Sequence, residues 1–471
     1  MIIINNILKI LTSNYSKIAL SNLIQQIISI LTTIVIIKNI GSNDYSQLVY
    51  FIAISSTIVM LSSCWVNPFY LREGSIEYNK TNSVSESLTT IIIAVLILFS
   101  TIAILKEVFE ENILSSQKYL FLILIFSSSQ ILIFISKITF RILENINYYG
   151  LISIFEKLFF FISILIYFKI KNQYFIENIL LIMVSTYFVV SIIFFFYIIK
   201  TISFKKANKI FYRDYVKNSF YIFLATIIVY FSSFEYLIII IANSEIKEII
   251  TYMSIGMMIT NIAYMPIYWL EQLYNPKINV LFNSEQEHDK KNYYEKIVTP
   301  LIYLVFIIQT IVLIVLNFTD ILEYLFDKSF KENIAIVTLI IFTCSTKVID
   351  TLFSIPLLSN RKEKEILYFN IVKTIIFIVF LLLRSDVIYL IYIYLVLCLI
   401  QNFYYINLSK KIISNYIYKH EFILVLINAI SLLSYILNQS SYYILVILLL
   451  YSTCFVTIKY KGLYNGLKNM S

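Results

Sequence analysis

Six ionisable side chains stand inside long apolar runs of this 471-residue chain: Glu156, Lys157, Glu235, Lys347, Asp350 and Lys373. At the centre of a membrane helix each would cost roughly 2.5–3.5 kcal/mol on insertion scales, so each needs a partner, water or a ligand. The chemistry open to them is narrow. A carboxylate can take up and release a proton, and an ammonium can hold an anion. Lys347 and Asp350 are three residues apart near the middle of one run, which puts them on one helical face. There they are expected either to pair with each other or to serve an ion or substrate. Glu156 and Lys157 are neighbours and are expected to point apart. Lys157 and Lys373 both lie early in their runs, where a lysine stem can snorkel to the interface or reach an anionic ligand. Glu235 has no lysine or arginine at helical spacing, so it must find a distant partner, water or a proton. Glu235, Asp350 and Lys347 are therefore the candidates for ion coupling. Lys157 and Lys373 are candidates for binding substrate.

Other chemistry falls away. The six glycines, at 41, 74, 150, 256, 462 and 466, provide neither GxxxxGK[ST] nor GxGxxG, so nucleotide hydrolysis at a P-loop is excluded. His288 and His420 are far apart and fall in expected cytoplasmic loops. They cannot form an HExxH zinc site or a histidine relay within the membrane. Cys64, Cys344, Cys398 and Cys454 all sit in apolar runs, as small core residues do, and point to neither disulfides nor a metal. No metal, cofactor or catalytic site is expected, and the chain is not expected to be an enzyme.

The elements that position these residues follow from composition. The chain is 59% hydrophobic and 14% charged, against about half and a quarter in soluble domains. A bilayer core of ~30 Å takes ~20 apolar residues per helix. Runs of that kind occur at 18–37, 47–66, 88–105, 119–136, 151–168, 179–199, 219–242, 249–270, 297–318, 334–358, 366–383, 387–408, 422–437 and 442–458. The fold class is thus all-α integral membrane, with about fourteen spans, and the alternating segments of a membrane barrel are absent. The last two runs are short and could form one re-entrant hairpin. The N-terminus lacks a basic region and cleavage site, and Ile3, Ile7, Ile10 and Leu11 give it the face of an interfacial lead-in.

With a cytoplasmic N-terminus, the inside segments hold 25 Lys and Arg residues and the outside loops nine, which sets both termini inside. The most basic segment carries Lys200, Lys205, Lys206, Lys209, Arg213 and Lys217. It reads as a topology signal in contact with anionic headgroups, so membrane lipids are expected partners and nucleic acid is not. It also joins two six-helix halves, giving a first lobe at 1–199, a linker at 200–218, a second lobe at 219–408 and two extra helices with a tail at 409–471. The halves echo one another faintly. Leu143-Glu144-Asn145 precedes Glu156-Lys157, and Leu358-Ser359-Asn360 precedes Lys373, each placing a lysine early in the next helix. Paired halves with substrate between them are common in secondary transporters. In the eighth run Gly256 and Pro266 flank Thr260 and Asn261, where the helix could bend or simply pack.

Several stretches resemble a known family, the Wzx-type O-antigen flippases of the multidrug/oligosaccharidyl-lipid/polysaccharide exporter superfamily. They are Asn67-Pro-Phe-Tyr-Leu-Arg72-Glu73, then Tyr274-Asn-Pro276, then Ile321-Leu-Glu-Tyr-Leu-Phe-Asp-Lys-Ser-Phe330 with the run ending Pro356-Leu-Leu-Ser-Asn360. The similarity extends over essentially the whole chain, although the motifs are degenerate. The chain departs from the pattern in its few glycines and in carrying Asp327 where a glycine is usual. The resemblance implies two six-helix lobes around a central cavity in a bacterial inner membrane. It also implies an undecaprenyl-diphosphate-linked oligosaccharide, an O-antigen or capsule repeat unit, as cargo. A polysaccharide polymerase and assembly proteins are implied as partners, as is a cavity role for Arg72, whose fork could hold phosphate bidentately.

Two other functions compete. A cation-coupled multidrug exporter should line its cavity with acids, whereas three of the six intramembrane groups here are basic. Membrane polysaccharide polymerases resemble one another in a large external loop bearing arginines. The outside loops here, 106–118 and 319–333, are short and net acidic.

Overall fold

The computed structural model describes residues 14–202 apart from 65, 110–116, 144 and 172–173. It also describes 223–242 apart from 226 and 232, 248–283, 287–383 apart from 361, 387–410, and a few isolated positions beyond. The lead-in before Asn14, most of the basic linker and the two expected C-terminal runs lie outside the described residues. Among those described, every regular element is helical, and nine helices are long and apolar enough to cross a membrane. The chain is an all-α, multi-pass membrane protein.

Helix α1 (Asn14–Val59) carries the first two expected spans, joined at Gly41, whose φ of +83° no side-chain-bearing residue adopts cheaply. Nothing stands within 4 Å of a Cβ built there, so conformation and not space asks for glycine. After a π-turn at Met60–Cys64 comes α2 (Val66–Thr81), in a stretch the sequence marks as a loop. It is helical because Tyr70 is fully buried, with its hydroxyl 3.0 Å from that of Thr139. Glu77 then accepts hydrogen bonds from the backbone N–H groups of Glu86 (3.0 Å) and Ser87 (2.8 Å) and from the Ser87 hydroxyl. That carboxylate caps α3 (Ser85–Phe109), where partnerless N–H groups favour negative charge.

Next come α4 (Gln117–Ile142), α5 (Ile146–Ile170) and α6 (Ile176–Thr201). The seventh expected span, 219–242, is not one continuous helix among its described residues. A turn at 231 interrupts it, and α7 (Phe234–Ala242) begins afresh, with the Ser233 hydroxyl accepting from the Tyr236 N–H at 3.2 Å. Helix α8 (Glu248–Asn283) is followed by the short α9 (Glu287–Tyr293), a π-turn at Tyr294–Val298 and α10 (Thr299–Phe318). The external loop expected at 319–333 contains two short helices, α11 (Ile321–Leu325) and α12 (Lys328–Glu332). There Asp320 (2.7 Å) and Glu323 (3.4 Å) hold Lys331, and the bond to Asp320 raises its amine above the ordinary lysine range. The series ends with α13 (Ile334–Ser359), α14 (Glu363–Leu383) and α15 (Val387–Ser409).

Contacts divide the chain into two compact units, 1–251 and 252–471. In the first, α5 packs on α1, α4 on α6, and α7 on α1. Helix α7, which the sequence assigns to the second half, thus belongs by contact with the first. Helices α1 and α5 approach closely where a Cβ on Gly150 would stand 3.1 Å from Ser21, the small-residue packing usual between membrane helices. In the second unit α13 packs on α10 and α15, and α14 on α15. Gly256 fits against Ile340, 2.9 Å from where its Cβ would be, and the Thr260 hydroxyl donates to the Ile340 carbonyl at 3.2 Å. Helix α8 keeps helical geometry through Pro266, so Gly256 serves packing and not a bend. Large apolar side chains such as Ile166, Ile193, Phe196, Ile375 and Leu382 point outward, as helices facing lipid require.

Candidate functional site

Each unit contains a buried polar network, and each is built around a lysine that the sequence singled out. In the first unit Glu156, 6% exposed, lies on α5 between two other helices. Its Oε2 receives the Lys137 ammonium of α4 at 3.1 Å, and its Oε1 accepts from the Gln25 amide of α1 at 3.2 Å. Lys157 does not point away from its neighbour as adjacency implies. Its long stem folds back to bring Nζ within 3.9 Å of Glu156 Oε1. The same ammonium donates to the Tyr187 hydroxyl of α6 at 2.5 Å and lies 5.2 Å from the centre of that ring. Lys157 is thus held by the next helix and does not snorkel. Tyr187 is fixed in turn by an edge contact with Phe126, centroids 5.0 Å apart.

In the second unit Lys373, also 6% exposed, donates to Gln401 Oε1 of α15 at 2.7 Å. It stands 5.3 Å from the centre of the Tyr394 ring and 3.5 Å from Cys398 Sγ. The other end of the Gln401 amide donates to Asp350 Oδ1 of α13 at 2.9 Å. One neutral amide therefore joins a buried cation to a half-buried carboxylate, and the two charges fix which way it faces. The pair expected between Lys347 and Asp350 is not formed. Although i,i+3 spacing puts both on one face of α13, Asp350 takes its hydrogen bond from Gln401 across the helix interface, and no Lys347–Asp350 contact within ion-pair distance occurs. Lys347 itself is half-buried.

The faint internal echo is matched here in three dimensions. Lys157 lies over a tyrosine of the following helix, and Lys373 over a tyrosine of its own following helix, at nearly equal distances. Glu235 is the second residue of α7, in the first turn after the break at 231–233. Arg72 lies within α2 between the buried positions Tyr70 and Gly74. The side chains of Glu235 and Arg72 lie outside the described residues, whereas Asn261 is exposed.

Reading the sequence missed Lys137, Gln25, Tyr187, Tyr394 and Gln401. Lys137 was placed in a loop because the apolar run stops at 136, whereas α4 continues to Ile142. A lysine and a tyrosine recurring in the fifth and sixth helices of both halves was the available signal.

The chain matches no protein-family model and no curated protein sequence. Solved structures do match. A MATE transporter in complex with MaL6 is 13% identical at a TM-score of 0.58, covering 85% of this chain and 97% of its own. An outward-facing multidrug resistance MATE family transporter of the MOP superfamily is 12% identical at a TM-score of 0.57, covering 86% and 97%. The lipid II flippase MurJ, in an inward closed conformation, is 16% identical at a TM-score of 0.60, covering 96% of this chain and 99% of its own. Over nearly its full length the chain has the fold of these transporters and of this lipid flippase.

Proposed function

We propose that this protein flips an undecaprenyl-diphosphate-linked oligosaccharide, an O-antigen or capsule repeat unit, from the cytoplasmic to the outer leaflet of a bacterial inner membrane. The observation that carries this reading is the sign of the buried charge. In the first unit the described side chains set two lysines, Lys137 and Lys157, against one carboxylate, Glu156, while in the second Lys373 faces Asp350 across Gln401. With all of them ionised, the first group keeps one positive charge within membrane-crossing helices, which suits a cargo carrying phosphate. The likeness to a lipid II flippase over 96% of the chain supports a lipid-linked cargo. Arg72, Lys157 and Lys373 are the proposed substrate contacts, with Glu235, Asp350 and Lys347 proposed to couple transport to an ion gradient. Polysaccharide polymerase and assembly proteins remain proposed partners.

The likeness to multidrug transporters of similar TM-score favours a second reading, export of amphipathic cations. The surplus of lysines speaks against it, because a cationic drug would meet like charge. Deleting the protein decides between them. A flippase leaves lipid-linked repeat units accumulating on the cytoplasmic leaflet, whereas a drug exporter leaves them normally distributed and the cells drug-sensitive.

A further inference from the structure

We infer that Lys137 and Lys157, held side by side by Glu156, form a phosphate-binding site within the first unit, and that Lys137 contacts the bound anion directly. This deepens the flippase reading and rests on it only for the identity of the molecule that carries the phosphate.

Three observations support the site. The cluster has two ammonium groups on one carboxylate, so it holds one unit of positive charge that no described side chain balances. Leaving such a charge in a membrane-crossing region is costly unless an anion or water meets it. Secondly, the lysines are within reach of a ligand. Their side chains keep 20% and 28% of their surface open, while Glu156 keeps 8%, so the lysines are more accessible than the carboxylate that holds them. Thirdly, the donors are not used up. Among described residues Lys137 donates only to Glu156 and Lys157 only to Tyr187, yet each ammonium has three N–H donors. A phosphate offers several acceptor oxygens to such a pair. Lys373 in the second unit differs on each count, being closed in by Gln401, Cys398 and Tyr394. Glu156 is a positioning residue here. It fixes two lysines from different helices at one spacing and, together with the Gln25 amide, keeps them from splaying apart.

The test uses the full chain in phosphatidylcholine nanodiscs, titrated with radiolabelled inorganic pyrophosphate at low ionic strength. If surplus charge makes the site, affinity must follow the arithmetic of the cluster. Lys137→Gln takes it from one positive charge to none and should weaken binding about tenfold, the scale of one unit charge acting through partly wet surroundings. Glu156→Gln leaves two positive charges and should tighten binding by a similar factor. The double variant Lys137→Gln/Glu156→Gln restores the net charge but not the Lys137 contact, so it should bind more tightly than Lys137→Gln and less tightly than wild type. A purely structural ion pair gives another order, with both single variants weaker, Glu156→Gln included. That order, or unchanged affinity in Lys137→Gln, overturns the inference. Should Lys137→Gln fail to fold, Lys157→Gln removes the same charge, leaves the Lys137–Glu156 pair intact, and must show the same loss.

Two competitors identify the source of the phosphate. Displacement of pyrophosphate by a polyprenyl diphosphate, but not by phosphatidylglycerol in the disc, assigns the site to the cargo. Displacement by phosphatidylglycerol assigns it to a membrane lipid and supports the site while detaching it from transport. Displacement by neither overturns it. Because binding is read without transport, the predicted order of affinities can fail while the flippase reading stands, and the reverse also holds.

Discussion

Gln401→Leu is the sharpest test of the second unit. The substitution nearly conserves volume and deletes two hydrogen bonds, the one to Asp350 at 2.9 Å and the one from Lys373 at 2.7 Å. Each reaches a charged group and is worth ~1.5–3 kcal/mol, so together they represent about 3–6 kcal/mol. Lys373 keeps its place over the Tyr394 ring in both forms, so that contact cancels and the expected loss stays at about 3–6 kcal/mol. Reversible unfolding of the full chain in mixed micelles titrated with dodecyl sulfate measures the loss. In an Asp350→Asn background the same substitution should cost about 1–2 kcal/mol less, because one of the two stranded charges has gone. A loss within about 0.5 kcal/mol of wild type would place Gln401 among ordinary surface positions and refute the bridge. An equal loss in both backgrounds would show that Asp350 does not depend on it.

Gly256→Ala forces a Cβ to 2.9 Å from that of Ile340, and overpacking of this kind should destabilise the second unit by about 1–3 kcal/mol in the same unfolding assay. Glu235→Gln keeps the side-chain shape and removes its titration. If Glu235 couples transport to protons, proteoliposomes carrying the variant should transport slowly and ignore an imposed pH gradient, and a retained gradient dependence rules the residue out. The orientation drawn from the lysine and arginine distribution puts a single cysteine at Asn208 inside and one at Asn112 outside. In a cysteine-free background, with the outer membrane permeabilised, a thiol reagent that cannot cross the inner membrane should label 112 and spare 208.

What the sequence determined by itself was the place and length of most crossing segments among the described residues. The runs at 334–358, 366–383 and 387–408 are the helices 334–359, 363–383 and 387–409 almost to the residue. The bilayer imposes this legibility, because a crossing needs a fixed length of apolar helix whatever it packs against. The identity of the buried charges was legible for the same reason, since an ionisable group inside such a run stands out. Their partners were not legible. Gln25 lies 131 residues from Glu156, and Gln401 lies 51 from Asp350, separations that only helix packing closes. The pattern along α13 pointed to Lys347 as the partner of Asp350, but a neighbouring helix offered a better-placed amide. Polar helices escaped as well. Helix α2 reads as a loop because its stability comes from burying Tyr70 against α4 and from capping α3 with Glu77, contacts that no local periodicity records. The break before α7 was hidden inside a continuous apolar run, because hydropathy reports what a segment can bury and not whether its backbone stays helical.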